Sequence, residues 1–216
     1  MSTVSKNRIS KSRRTPRELD PYRYGWRYVR VRRPDVKVDF EQVPLTPDDV
    51  LHPQLDDFIV QTNTHDDDLL YLKSVFKVRL KPIPVSLVLS DCRVDYNIPG
   101  VRPLGPDVAV FFGVERGQDH DWETLNVRAE KARPALVIEV TSRNTRKNDL
   151  GIKVDYYQRA GVPLYVIADV KGRGAKRRVE FLGYQLVNGK YERLTPNGDG
   201  RIYLEPVRLW LGPVKH

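Results

Sequence analysis

The run Ala135–Thr141 (ALVIEVT) constrains this chain more than any other segment. It has the length and apolar content of a buried strand, yet Glu139 sits inside it. A charge in a buried strand is costly unless it is paired, protonated or bound to a metal. Side chains alternate along a strand, so Glu139 and Thr141 share one face and Val140 points to the other. Downstream, Arg146 to Ala160 has helical spacing, with Leu150, Val154 and Tyr157 as its inner stripe. Gly161 ends that helix and Pro163 follows. Leu164–Val170 (LYVIADV) reads as a second buried strand. Strand, helix and strand in this order imply a parallel pair joined by a right-handed crossover, with the helix packed on the sheet.

The flanking elements follow by the same reading. Thr64 can cap a helix in which Leu69, Leu72 and Phe76 recur at helical spacing, and Pro82 stops it. Extended segments are expected at Val85–Leu89, Arg93–Tyr96 and Asp107–Phe112. Arg178–Val187 and Lys190–Leu194 flank Asn188-Gly189, a hairpin-turn pair, and a final strand is expected over Ile202–Leu211. Near the N-terminus, aromatic residues alternate with basic ones (PYRYGWRYVRVRR). Period-two alternation predicts an edge strand or extended arm with one apolar face. Such a strand can cover the core or a partner subunit, and aromatics among arginines can also stack on bases. Pro44 to Pro53 reads as a loop or a short helical turn.

A length of 216 residues with 40% hydrophobic residues suits one compact domain with extensions. The single cysteine, Cys92, excludes an internal disulfide framework and any multi-cysteine zinc site. No apolar run reaches the roughly 18 residues of a membrane span, and no apolar stretch follows the basic N-terminus as in a secretory signal. The expectation is a cytoplasmic protein that does not engage membranes. The formal net charge is +9. Two-thirds of it comes from Lys6, Arg8, Lys11, Arg13, Arg14 and Arg17 in a segment without acids, which reads as a disordered arm. A second basic cluster, Lys171, Arg173, Lys176, Arg177 and Arg178, contains two glycines and reads as a turn between strands. Either cluster can contact nucleic-acid phosphates, and either can equally be a solvated surface.

Two carboxylates and one lysine form the candidate chemical site. Asp107 opens the strand DVAVFF directly after Pro106. If that strand neighbours the one bearing Glu139, the two acids can converge on one hard cation such as magnesium. Lys153 lies three residues after Leu150, roughly 60° from the inward direction at about 100° per residue. From the margin of the packed face it can orient a water or neutralise a phosphate. The plainer readings are a turn acid at Asp107 and a simple i,i+4 pair between Asp149 and Lys153. The four histidines show no metal-ligand spacing, and His65 alone reads as structural. No G-x-S-x-G occurs, GRGAK lacks the ending of a phosphate-binding P-loop, and Cys92 reads as a packed thiol.

The ordered segments GPDVAVF, PALVIEVTSRNT and NDLGIKVDYYQRAGVPLYVIADV resemble the Uma2 family (domain of unknown function 820), described as putative restriction endonucleases within the PD-(D/E)xK nuclease superfamily. The resemblance runs from about His65 to 194 and is most specific over 106–169. It implies an α/β restriction-endonuclease-like core, a mixed central sheet flanked by helices with a C-terminal β-hairpin extension. The implied organisation is a basic arm (1–20), an N-terminal extension (21–63) and the nuclease-like domain (64–216). By resemblance Asp107 is the acid of the "PD" element and Glu139 the acid of the (D/E)xK element. The main-chain carbonyl of Val140 would complete a site for Mg2+ or Mn2+. The residue two after Glu139 is Thr141, not lysine, and Lys153 matches the position from which the following helix supplies the lysine. Asp149 precedes it at the family's spacing, Ser142 and Thr145 match the turn before the helix, and Tyr157 and Gly161 its end. The expected function is magnesium-dependent hydrolysis of phosphodiester bonds in DNA, with Thr141 and Asp149 supporting the site. Lys171, Arg173, Lys176 and Arg177 are candidate contacts to nucleic acid, and a homodimer would suit cutting of both strands. The alternative is a nucleic-acid-binding or interaction module that keeps the fold without catalysis.

Overall fold

The computed structural model describes residues 20–33, 36–172 and 174–213. The basic segment 1–17 and Arg173 lie outside the described residues. Six strands form the central sheet: β4 (Ser86–Ser90), β6 (Val108–Phe112), β8 (Arg133–Val140), β9 (Leu164–Lys171), β10 (Arg178–Val187) and β11 (Lys190–Leu194). Their spatial order is β11-β10-β9-β8-β6-β4. Only β8 and β9 are parallel, as the strand–helix–strand segment predicts; the other neighbours are antiparallel. Each face of the sheet is covered, which explains why its strands read as continuous apolar runs. Leu136, Ile138 and Val140 face one apolar layer with Leu69, Leu72 and Phe76. Val137 and Ile167 face the other, with Tyr157 and Tyr165. Glu139 therefore points into the second layer.

The first layer is closed by α2 (Asn63–Leu80), which follows the short α1 (Pro47–Leu51). Thr62, not Thr64, caps α2: its hydroxyl accepts the His65 N–H at 3.4 Å. Starting the helix at Asn63 draws His65 into its first turn, and the residue is buried there. The second layer is closed by α3 (Arg146–Asp149) and α4 (Ile152–Arg159), and by a small parallel pair, β5 (Arg93–Asp95) and β7 (Thr124–Asn126). The single helix expected over 146–160 is thus broken at Leu150–Gly151. A Cβ on Gly151 would lie 2.8 Å from the Lys147 carbonyl, so the break needs glycine.

Asn188 and Gly189 both have positive φ, 50° and 78°, as a two-residue hairpin turn between β10 and β11 requires. The expected final strand is instead a hairpin, β12 (Ile202–Leu204) and β13 (Leu209–Leu211). Pro206 lacks a ladder donor, and a short 3-10 turn ends at Arg208 with φ 53°. Before the core, β1 (Gly25–Arg33), β2 (Val36–Pro44) and β3 (Phe58–Ile59) form a separate three-stranded sheet in the order β2-β1-β3, so the aromatic–basic segment is a central strand paired on both sides, not the edge strand or arm its alternation predicts. No helix among the described residues is long and apolar enough to cross a membrane.

Candidate active site

The parallel strands β8 and β9 end at the same edge of the sheet, where antiparallel β6 begins. Crevices outside the carboxyl ends of parallel strands are where α/β sheets hold ligands. An open cleft of about 1250 Å³ lies here, and Asp107, Val140, Thr141 and Lys153 line it.

Pairing of Val108 with Ile138 brings Asp107 to the end of β8. Asp107 Oδ2 accepts the Val140 N–H at 2.7 Å, and Oδ1 lies 3.7 Å from His65 Nε2. Glu139 is buried, with both oxygens engaged. Oε1 accepts the Tyr157 hydroxyl proton at 2.6 Å, and Oε2 is 2.8 Å from Lys153 Nζ. Lys153 Nζ is also 3.0 Å from Asp149 Oδ1. The sequence places Lys153 at the margin of the packed face, but the ammonium is buried, with the residue only 5% exposed. The helix break accounts for this: Asp149 ends α3 and Lys153 lies in the first turn of α4, both turned inward. The i,i+4 pair and the contact to Glu139 therefore coexist. Glu139 and Asp149 do not reach the cleft wall, whereas Lys153, which touches both, does.

Burial pushes the Glu139 carboxyl up, Lys153 opposes this, Asp107 and Asp149 add to it, and the net position is about 8. Burial and the Asp107 charge also raise Asp149, against the pull of Lys153. Burial alone would lower the Lys153 ammonium, but the surrounding Asp149, Glu139 and Asp107 charges hold it well above the ordinary lysine value. A lysine so held is a fixed cation rather than a proton acceptor.

The donor set fits a hard divalent ion in kind. One ammonium lies between Glu139 and Asp149, with the Asp107 charge acting on it as well, so carboxyls outnumber cations in the cluster. Both Asp149 carboxylate oxygens are buried and accept no hydrogen bond of good geometry, despite the nearby ammonium. Such an ionic deficit in a buried place is costly. In their present positions no three His, Cys, Asp or Glu side chains among the described residues converge on a common ion site.

The remaining predicted residues divide. The Thr141 hydroxyl lines the cleft but staples two strands, donating to Asp169 Oδ1 at 3.2 Å and accepting the Val170 N–H at 2.8 Å. Asp169 also takes a two-pronged contact from Arg146, 2.7 and 3.0 Å, which pulls its carboxyl below the usual range. Ser142 and Thr145 close the turn by reciprocal bonds: each hydroxyl accepts the other's N–H, at 3.0 and 3.1 Å. Lys171 and Arg177 line the cleft, but Lys171 is paired with Glu180 and Arg177 with Asp68. Lys176 is exposed. Cys92 is the packed thiol expected, raised to about 11 chiefly by burial.

Sequence reasoning missed two partners. His65, read as a lone histidine, stands beside Asp107 from a helix 42 residues upstream, a proximity no local pattern reveals. Its pKa is raised: burial would lower it, but the hydrogen bond and charge of Asp107 prevail. Tyr157, read as an inner-stripe residue and as a match to the family's helix end, donates to Glu139; its position one helical turn after Lys153 is the signal that could have exposed that contact.

A mixed sheet flanked by helices, with a carboxylate–lysine cluster at its strand ends, is the α/β arrangement the sequence predicts. The family model of Uma2, described as "Putative restriction endonuclease", matches residues 38–211. The chain belongs to the Uma2 family. Among solved structures, the chain is similar to one described as a "putative nuclease belonging to DUF820" from Anabaena variabilis ATCC 29413, at 14% identity, with 90% of each chain covered and a TM-score of 0.49. No curated protein matches.

Proposed function

We propose that the protein is a metal-dependent nuclease that hydrolyses phosphodiester bonds in DNA at the Asp107–Glu139–Lys153 cluster. The observation that carries this reading is the buried Lys153 ammonium held between the Glu139 and Asp149 carboxyls at the cleft. Asp107, Glu139 and the Val140 carbonyl would hold Mg2+ or Mn2+. When bound, such an ion supplies Lewis acidity toward a phosphoryl oxygen and lowers the pKa of a nearby water. The chain's own residues do the rest. Lys153 presents a permanent positive charge to the phosphate, where negative charge grows as water attacks in line and the sugar oxygen leaves. Asp149 and Tyr157 fix that geometry, Asp149 by its charge on Lys153 and Tyr157 by its bond to Glu139. The Val140 N–H fixes Asp107 at the cleft edge.

Purified protein is expected to nick supercoiled plasmid with magnesium and not with EDTA. Asp107→Ala, Glu139→Ala and Lys153→Ala are each expected to abolish nicking; full activity in all three would remove the assignment. A second reading is a binding module without catalysis. It is favoured by the engagement of both Glu139 oxygens within the protein, and plasmid left intact with magnesium or manganese would select it.

A further inference from the structure

The aromatic–arginine segment has no part in the hydrolytic cluster, yet it starts at the cleft rim. Tyr24 lines the cleft, and the Arg23 carbonyl accepts a hydrogen bond from Asn144 Nδ2 at 2.9 Å, in the turn after Thr141. From this anchor β1 and β2 run as an antiparallel ribbon. Residues opposite one another in such a ladder share a face. Trp26, Tyr28 and Arg30 lie opposite Pro44, Gln42 and Phe40 on one face. The acids Glu41 and Asp39 lie opposite Val29 and Val31, on the other. Arg27, also on that second face, is held by Asp49 and Asp57.

The first face is therefore free of acids over this span. Trp26 stacks on Phe58 at 5.6 Å between ring centroids, and Tyr28 meets Phe58 edge-on at 6.3 Å. Tyr28 is 53% exposed, Phe58 52% and Phe40 62%. Arg30 is exposed and forms no ion pair among the described residues. Open aromatic surface of this kind marks an interaction site. Rings beside an uncommitted guanidinium suit bases and phosphate together. A duplex hides its base faces in the stack, so the rings favour an unpaired strand.

We propose that this face of the β1–β2 ribbon grips single-stranded nucleic acid continuous with the strand in the cleft. The inference rests on the nuclease reading for what fills the cleft, but its test does not. Binding of the full chain to a fluorescent oligothymidylate is measured by anisotropy in EDTA, where no cleavage intervenes. Tyr28→Ala and Phe40→Ala are each expected to weaken binding by about tenfold, within the range for loss of one base stack. Arg30→Ala is expected to flatten the dependence of log affinity on log salt by about 0.7, as for one phosphate contact to a single strand. Tyr28→Trp is expected to restore affinity, and Trp26 emission to be quenched on binding.

Unchanged affinity in all three alanine variants overturns the proposal, as does equal affinity for a duplex of the same length. Equally tight binding of polyglutamate overturns it in favour of an acidic protein partner. Impaired variants alongside plasmid that stays intact with magnesium would keep the ribbon's role and remove the nuclease reading.

Discussion

Lys153 determines how the site is held together. Removing it leaves the Glu139 and Asp149 carboxyls buried without their cation, a change that typically costs about 3–5 kcal/mol. Lys153→Ala is expected to lower the melting temperature, and the deficit relative to the parent should narrow as pH falls from 8 to 5 and the carboxylates take up protons. Glu139 also sets a pH dependence in the unaltered protein. Its folded pKa is raised from 4.5 to about 8, so its stabilising contribution is complete below 4.5 and is lost as pH rises toward 8. Glu139→Gln is expected to flatten melting temperature against pH over that window in EDTA. At this scale the sequence was informative where a residue broke its local pattern. Glu139 in an apolar strand and Asp107 after proline stand out, and Lys153 follows at helical spacing. The Tyr157 and His65 contacts do not, because each depends on where another element packs.

At the scale of elements, glycine and proline decide the departures from a simple periodic reading. Helical spacing runs unbroken through 146–160, but Gly151 allows a break that turns Asp149 and Lys153 inward together. Pro206 similarly converts an expected strand into the β12–β13 hairpin. Gly25 fixes the base of the ribbon: its φ is 116°, and a Cβ there would lie 1.9 Å from the Phe58 carbonyl. Gly25→Ala is expected to destabilise by more than about 1 kcal/mol and to unpair β3 from β1. Faster limited proteolysis between Pro21 and Ile59, with the central sheet still intact by circular dichroism, is the check. The alternation in Trp26–Arg30 was legible as a strand with one aromatic face. The three-stranded sheet it joins was not, because β3 is only two residues long and carries no period of its own.

For the whole molecule, charge and chemistry separate. The formal net charge is +9, yet the candidate site is acidic around one lysine. A ligand that binds only the folded state stabilises it by mass action, about 2.7 kcal/mol at a hundred times its dissociation constant. Melting temperature is therefore expected to rise with magnesium or manganese concentration, and Asp107→Asn is expected to abolish the rise. The α/β class and the parallel β8–β9 pair were legible because buried strands and an amphipathic helix alternate in order. The cleft was not, since its walls come from the N-terminal extension, α2 and the sheet edge together.

The central claim is that the buried carboxylate–lysine cluster performs hydrolysis. The most direct test is the initial rate of plasmid nicking with magnesium for the parent and for Glu139→Gln, which keeps the side chain's shape and removes its charge. The account predicts a loss of at least about a hundredfold, the scale of removing one transition-state electrostatic group, with a cooperative melt retained. Equal rates for the two proteins would contradict it.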